Sequence, residues 1–363
     1  MAKGQLESPM YRLVLRNRNL HLLRGLAIIL VVGYHIGLPG FSGGFVGVDI
    51  FFLISGFLIT MKLSSVKTKS DIKNFYIQRA KKIIPSLFVV AAGTLSVFWY
   101  LYGWTDKTAR YLSEAVQSLL GVVNNSYMFA ATAEPYGYSP FLHLWSIAIE
   151  IQFYVAAPLL LFLLVYKFKL NARLIVSAML LVSLSLFVWV SYFDPLAAYY
   201  ASFGRIWEFS LGALIALALS THKSRKLFTD VQAKIVQLIA LAAILVFSLG
   251  FGWFIPEILV YSLFPIFASA ALLLVIVKES KSYSFESRST KMDLFTQPPL
   301  KAISFLSDIS YPLYLVHYPV LFFTYAYYPE FVFVGVLFSL LSAYLIHRTI
   351  EQPLLRNKQK SSE

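Results

Sequence analysis

Apolar residues fill ten stretches of this chain, roughly 22–38, 48–63, 83–103, 143–166, 173–193, 205–220, 231–252, 257–277, 303–325 and 331–350. Most reach about 18 residues, the length of helix that crosses roughly 30 Å of hydrocarbon. None alternates with the two-residue period of a barrel strand. The pattern predicts an all-α polytopic membrane protein of about ten transmembrane helices. Two runs, 48–63 and 205–220, are short and contain glycine, so they are expected to tilt or to start below the interface. The stretch 111–128 is apolar but carries Glu114, Gln117, Asn124 and Asn125. It reads as an amphipathic or re-entrant element, and a true span there would invert everything downstream.

Charge then orients these helices. The sequence is 58% hydrophobic and only 13% charged, where soluble domains hold about 25% charged residues. With the N-terminus inside, every Lys and Arg except Lys107, Arg110 and Arg205 falls on the inner side of the ten-span arrangement. That asymmetry puts both termini in the cytoplasm. The net charge of +13 is therefore an orientation signal, with anionic lipid contact secondary and no nucleic-acid partner required. The sequence has no cysteine, which removes disulfides, thiolate metal ligands and a thiol nucleophile. Basic residues precede the first apolar run, but no small-residue cleavage site follows, so a retained first helix is expected. No internal repeat is visible. The reading is one membrane domain over 1–363 with a polar inner loop at 278–300 and a short basic tail at 356–363.

Ionisable groups inside spans are costly, and each is a functional candidate. Arg24 and His35 open and close the run RGLAIILVVGYH. Eleven residues separate them by about 16 Å along a helix, and about three turns put both near one face. A ligand could extend from one to the other; a snorkelling anchor for Arg24 and an interior hydrogen bond for His35 are the alternatives. The run from Ser42 to Thr60 holds Gly43, Gly44, Gly47 and Gly56, with Gly40 just before, which permits turns and close backbone approach. Asp49 in this run stands at a helix start, where a carboxylate also complements the dipole. HLWSIAIEIQFY, residues 143–154, places His143, Trp145 and Ser146 at a membrane edge and leads Glu150, Gln152 and Tyr154 into the span. Seven residues separate His143 from Glu150, so both are expected to face one cavity. Arg205 and Glu208 lie at i and i+3, positioned for an intrahelical ion pair. His317 falls between tyrosines and prolines in SYPLYLVHYP. Histidine and carboxylate facing a buried cavity can perform acid–base chemistry. No closely spaced pair resembles a metal-ligand motif, and no metal is expected.

Together these motifs resemble the acyltransferase-3 family of integral membrane O-acyltransferases. RGLAIILVVGYH is similar to its arginine, ten residues, histidine signature. GGFVGVDIFFLISGFLIT is similar to its glycine-rich second helix, and FYIQRAKKIIP, residues 75–85, to its basic inner loop. HLWSIAIEIQFY, RIWEFSLGALIA, SYPLYLVHYP and IEQPL match later motifs in order, so the resemblance covers about residues 20–355. Ile151 follows Glu150 where the family often has a second glutamate.

The resemblance implies transfer of an acyl group, usually acetyl, from cytoplasmic acyl-CoA to a hydroxyl of a cell-surface carbohydrate such as O-antigen or exopolysaccharide. It implies a multi-pass protein of the bacterial cytoplasmic (inner) membrane, with acetyl-CoA as co-substrate and a lipid-linked or surface polysaccharide as acceptor. Many relatives carry a fused extracytoplasmic domain, and this chain is expected to act as a stand-alone member. On that reading Arg24, Arg79 and Lys82, with Lys81, hold the CoA nucleotide, and His35 is the general base. Glu150 or Asp49 would orient the imidazole, and direct transfer is preferred to an acyl-histidine. Trp145, Tyr154 and Tyr314 suit a sugar ring, with His143, Ser146, Arg205, Glu208 and His317 completing the acceptor site. A proton-coupled glycan exporter is the competing reading, and the absence of matched halves counts against it.

Overall fold

The computed structural model describes residues 17–64, 66, 68–123, 139–221, 229–248, 257–282 and 298–356. Among these residues all regular elements are helical. In chain order they are α1 (Arg18–His35), α2 (Val46–Leu63), α3 (Lys69–Tyr102), α4 (Asp106–Leu120) and α5 (Trp145–Leu160). There follow α6 (Ala172–Phe193), α7 (Pro195–Tyr200), α8 (Ile206–Thr221), α9 (Asp230–Ser248) and α10 (Glu257–Ser282). The last four are α11 (Pro298–Asp308), α12 (Ser310–Tyr327), α13 (Val332–Ile346) and α14 (Gln352–Arg356). Six apolar stretches are long enough to cross a bilayer: Val46–Leu63, Lys69–Tyr102, Leu142–Val165, Ala172–Phe193, Val231–Ser248 and Pro329–Leu354. Asn19–His35, Ile206–Leu219 and Ser262–Val275 are apolar but shorter.

Two expectations change. The basic segment before residue 83 is not a loop, because α3 starts at Lys69 behind a capping box made by Thr68 and Asp71. This 34-residue helix carries Pro85 inside it and extends for about 50 Å, well beyond the hydrocarbon core. The expected span at 303–325 is divided into α11 and α12 at Ile309. Pro312 lacks an N–H and its ring crowds the carbonyl four residues earlier, which favours a new helix start there. The stretch from Tyr111 is part of α4, whose buried Thr108, Tyr111, Glu114, Ala115 and Ser118 recur at helical spacing. Leu112, Val116 and Leu120 on its other side are exposed, so α4 is amphipathic as expected. Asn124 and Asn125, most of the 278–300 loop and the 357–363 tail lie outside the described residues.

Large apolar side chains cover the outward faces of α6, α9 and α13, with Leu174, Leu238 and Leu337 among the most exposed. A water-soluble protein would not present such continuous apolar faces, whereas lipid solvates them. Exposed Trp99, Tyr100 and Trp104 gather at the end of α3, Trp189, Tyr192 and Phe193 at the end of α6, and Tyr328 beyond α12. Aromatic rings of this kind mark a membrane interface. The Tyr327 hydroxyl donates to that of Tyr102, which ties α12 to α3 at this level.

Inside, α2 is the hub, packed against α1, α5, α8 and α10. It touches α8 at glycines from both sides. A Cβ on Gly56 would meet the Phe209 backbone, with its Cα at 2.6 Å, and one on Gly212 would meet the Phe57 nitrogen at 2.7 Å. Neither neighbour is a flexible side chain, so the helices can approach this closely only through glycine. Gly56→Leu is expected to cost about 1–3 kcal/mol by overpacking, read as a lower thermal midpoint in detergent. An unchanged midpoint would show that the crossing tolerates separation.

Candidate active site

Polar side chains form a column between the helices. At the aromatic end stand three histidines from different elements: His35 at the last residue of α1, His143 in the single turn before α5, and His317 in α12. His143 and His317 are buried, while His35 is partly exposed.

The hydrogen bonds assign each imidazole a tautomer. His317 Nδ1 lies 2.8 Å from the Tyr314 carbonyl and 3.0 Å from that of Leu313, so it donates and Nε2 keeps a lone pair. That Nε2 is 3.2 Å from His35 Nδ1, which also lies 2.9 Å from the Val31 carbonyl. His35 Nδ1–H is thus directed to two acceptors, and its lone pair is left on Nε2. No partner for that atom occurs among the described residues. His143 is oriented oppositely: Nε2 donates to the Leu315 carbonyl at 3.1 Å, and its buried Nδ1 has no hydrogen-bond partner among the described residues. Tyr318 stacks on His143 at 5.0 Å and meets His35 edge-on at 5.0 Å, which fills the space between them.

Below this cluster, the Tyr314 hydroxyl donates to the His143 carbonyl at 2.7 Å and sits 2.7 Å from Ser146 Oγ. The next layer is Glu150, whose Oε1 accepts from the hydroxyls of both Ser55 and Tyr154. The Arg79 guanidinium lies 5.2 Å from the centre of the Tyr154 ring and 5.7 Å from that of Phe75. Its Nε is buried without a hydrogen-bond partner among the described residues. Arg24 donates to Ser310 Oγ at 2.9 Å and couples electrostatically to Asp308, Glu351 and Glu150. Lys82 couples to Arg24 and Arg79, whereas neighbouring Lys81 is exposed. Three helices, α1, α3 and α5, therefore bring Arg24, Arg79, Lys82 and Glu150 into one electrostatic neighbourhood.

A third group stands apart. Arg205, Asp49 and Glu208 are completely buried, with Arg205 Nη1 at 2.8 Å from Glu208 Oε1 and 3.4 Å from Asp49 Oδ1. Arg205 Nε donates to the Tyr199 carbonyl at 3.0 Å, and the rings of Tyr199, Phe187 and Trp145 surround the guanidinium.

The structure thus redistributes the sequence candidates. Arg24 and His35 are on one helix, eleven residues apart, and Arg205 pairs with Glu208 as the spacing indicated. Asp49 joins that pair instead of orienting His35, and among the described residues no carboxylate bonds to the three histidines. The Val31 carbonyl and His317 do the orienting. Glu150 is held by hydroxyls one layer away from His143, so the two do not share a single contact set. Trp145 is buried against Tyr199 at 4.6 Å and Arg205, so its ring is committed to packing and not to a sugar. Arg205 and Glu208 are likewise core residues and line no open surface. Ser55, Ser310 and Tyr318 escaped the sequence reading. Ser55 was detectable as the polar residue in the middle of an otherwise apolar span, but the other two needed the helix packing.

The fold and this column define a multi-pass helical membrane protein with a histidine cluster at one end and a basic cluster at the other. Residues 17–348 match the model of the acyltransferase-3 family, described as an acyltransferase domain, and the chain belongs to that family. It is 28% identical over 361 residues to the O-acetyltransferase OatA of Staphylococcus aureus, a match covering 93% of this chain and 57% of that one. It is 29% identical over 313 residues to the peptidoglycan O-acetyltransferase OatA of Listeria monocytogenes and to a putative peptidoglycan O-acetyltransferase, YrhL, of Bacillus subtilis. These two matches cover 82% of this chain and 48% of each relative, so the chain spans about half the length of the curated relatives it matches. No solved structure matches it.

Proposed function

We propose that the protein is a membrane O-acyltransferase that moves an acetyl group from acetyl-CoA to a hydroxyl of a cell-surface polysaccharide. The observation that carries this reading is the free Nε2 lone pair of partly exposed His35, eleven residues along one helix from Arg24. The positive-inside asymmetry supports a ten-crossing arrangement with both termini cytoplasmic, formed by one membrane domain in a bacterial inner membrane. The basic cluster then faces the compartment that holds acyl-CoA, and His35 faces the acceptor.

Arg24, Arg79 and Lys82 would neutralise the donor's phosphates by charge-assisted hydrogen bonds. The about 16 Å of α1 between Arg24 and His35 would be covered by the extended arm of the donor, which delivers the thioester carbonyl to the imidazole. His35 Nε2 removes the proton of the sugar hydroxyl as that oxygen attacks the carbonyl carbon. The C–S bond breaks, and the departing thiolate takes the proton back from the imidazolium. The C–O ester bond is the product. Glu150, fixed by Ser55 and Tyr154, limits the positive charge of the basic cluster.

The names of the relatives make cell-wall glycan the first acceptor to assay, ahead of the O-antigen or exopolysaccharide that the sequence suggested. Membrane vesicles given labelled acetyl-CoA are expected to release alkali-labile acetate from the polysaccharide fraction. Arg24→Ala should raise the donor KM by roughly 10–100-fold, the value of one charge-assisted hydrogen bond of about 1.5–3 kcal/mol. Transport of glycan without esterification would replace this reading by that of an exporter. An unchanged KM would reduce Arg24 to a topology anchor.

A further inference from the structure

Beside the histidine cluster is a cavity of about 200 Å³ that the transfer chemistry above does not use. Its walls include Ile28 and Val32 of α1, Ile36 just after it, Leu313 and His317 of α12, and Val336, Ser339 and Leu340 of α13. The lining is almost wholly hydrocarbon, and its two polar members are already satisfied. Ser339 Oγ donates to the Gly335 carbonyl at 2.8 Å. His317 Nδ1 donates to backbone carbonyls and Nε2 meets His35. The cavity therefore offers neither water nor a sugar the two to four polar partners that each needs, and an apolar space of this size stays dry unless hydrocarbon enters it.

We propose that this cavity receives the alkyl chain of the acyl group being transferred, so that the protein accepts acyl donors longer than acetyl. This rests on the acyltransferase reading and adds a specificity pocket to it. The position of the cavity selects this occupant. His317 forms part of its wall and touches His35, so the cavity reaches to within one side chain of the base. On α1, Ile28 and Val32 lie on one stripe, and His35 stands about 60° round the helix from Val32, at the edge of that stripe. A chain bonded to the attacked carbonyl begins beside His35, one side chain away from this space. The tail of a lipid-linked acceptor is separated from its reacting hydroxyl by the whole headgroup, so it has no need of a pocket this near the base. The reaction is unchanged: the ester C–O bond forms, the C–S bond breaks, and the proton passes through His35 to the thiolate.

The experiment is a chain-length series of acetyl-, butyryl-, hexanoyl- and octanoyl-CoA on the full chain in lipid nanodiscs, with ester formation as the readout. Two variants of α13, which carries no residue of the proposed chemistry, set the pocket size. Val336→Phe fills it and should lower kcat/KM for hexanoyl-CoA by roughly tenfold while leaving acetyl transfer within a factor of two. Leu340→Ala enlarges it and should shift the optimum to longer chains. Acetyl transfer with no measurable use of longer donors, unaltered by either variant, would overturn the pocket and leave the acyltransferase reading intact. Absence of transfer from every donor, acetyl-CoA included, would overturn both. A fall in acetyl transfer equal to the fall in hexanoyl transfer, with normal folding, would also overturn it, because the cavity would then serve the scaffold and not chain length.

Discussion

His35→Ala is expected to reduce ester formation by roughly 10²–10⁴-fold with little change in the donor KM, the usual contribution of a positioned general base. The reason is the hydrogen-bond order of the cluster. His317 is fixed by two backbone carbonyls, so its Nε2 accepts the proton on His35 Nδ1 and holds the lone pair of His35 on Nε2. His35→Gln keeps the polarity of the site but supplies no comparable base, and it should lose as much. His317 touches no reacting atom in this scheme and is a positioning residue. His317→Ala should therefore cost less than His35→Ala and should lower kcat without raising the donor KM. His317→Gln, which can still accept from Nδ1–H, should recover part of the rate. The measurement is alkali-labile acetate on the surface polysaccharide at matched protein level. Normal esterification by His35→Ala would remove the base assignment.

The second large effect is on folding. Arg205→Ala would leave Asp49 and Glu208 buried together without the cation that holds them, a change worth about 3–5 kcal/mol. Thermal unfolding in detergent should register it as a sharp loss of extractable folded protein. Lysine should not rescue, because the guanidinium meets the Tyr199 carbonyl through Nε and Glu208 through Nη1 at once, and a point charge cannot do both. Neutralising the whole group, with Asp49→Asn, Arg205→Met and Glu208→Gln together, should regain most of the stability, since no unpaired charge would remain. If Arg205→Ala unfolds at the parent temperature, the triad does not hold α2 to α8 and its residues need another role.

These two expectations separate functions that the sequence had pooled. Both groups were visible as ionisable residues in apolar runs. Partner choice was legible only where it was local. Arg205 and Glu208 are three residues apart at the start of α8, Arg205 just before its first residue, so local geometry alone pairs them. Asp49 lies far away in sequence, and nothing in its local pattern distinguishes Arg205 from His35 as its neighbour. Glu150 had one local cue, Tyr154 four residues on in the same helix, but its second partner Ser55 belongs to another helix. Trp145 had the composition of a sugar platform, but its contacts are those of a core residue.

The sequence by itself determined the all-helical membrane class and the relation between Arg24 and His35, because hydrophobic length and a fixed rise per residue are properties of short stretches of chain. It also marked the glycines of α2, where backbone must approach backbone. Tertiary structure alone decided which imidazole keeps a free lone pair, which helix's base Asp49 meets, and that an apolar cavity ends at His317. Each of these depends on side chains or backbone groups contributed by separate helices, and only their packing fixes how far apart they lie.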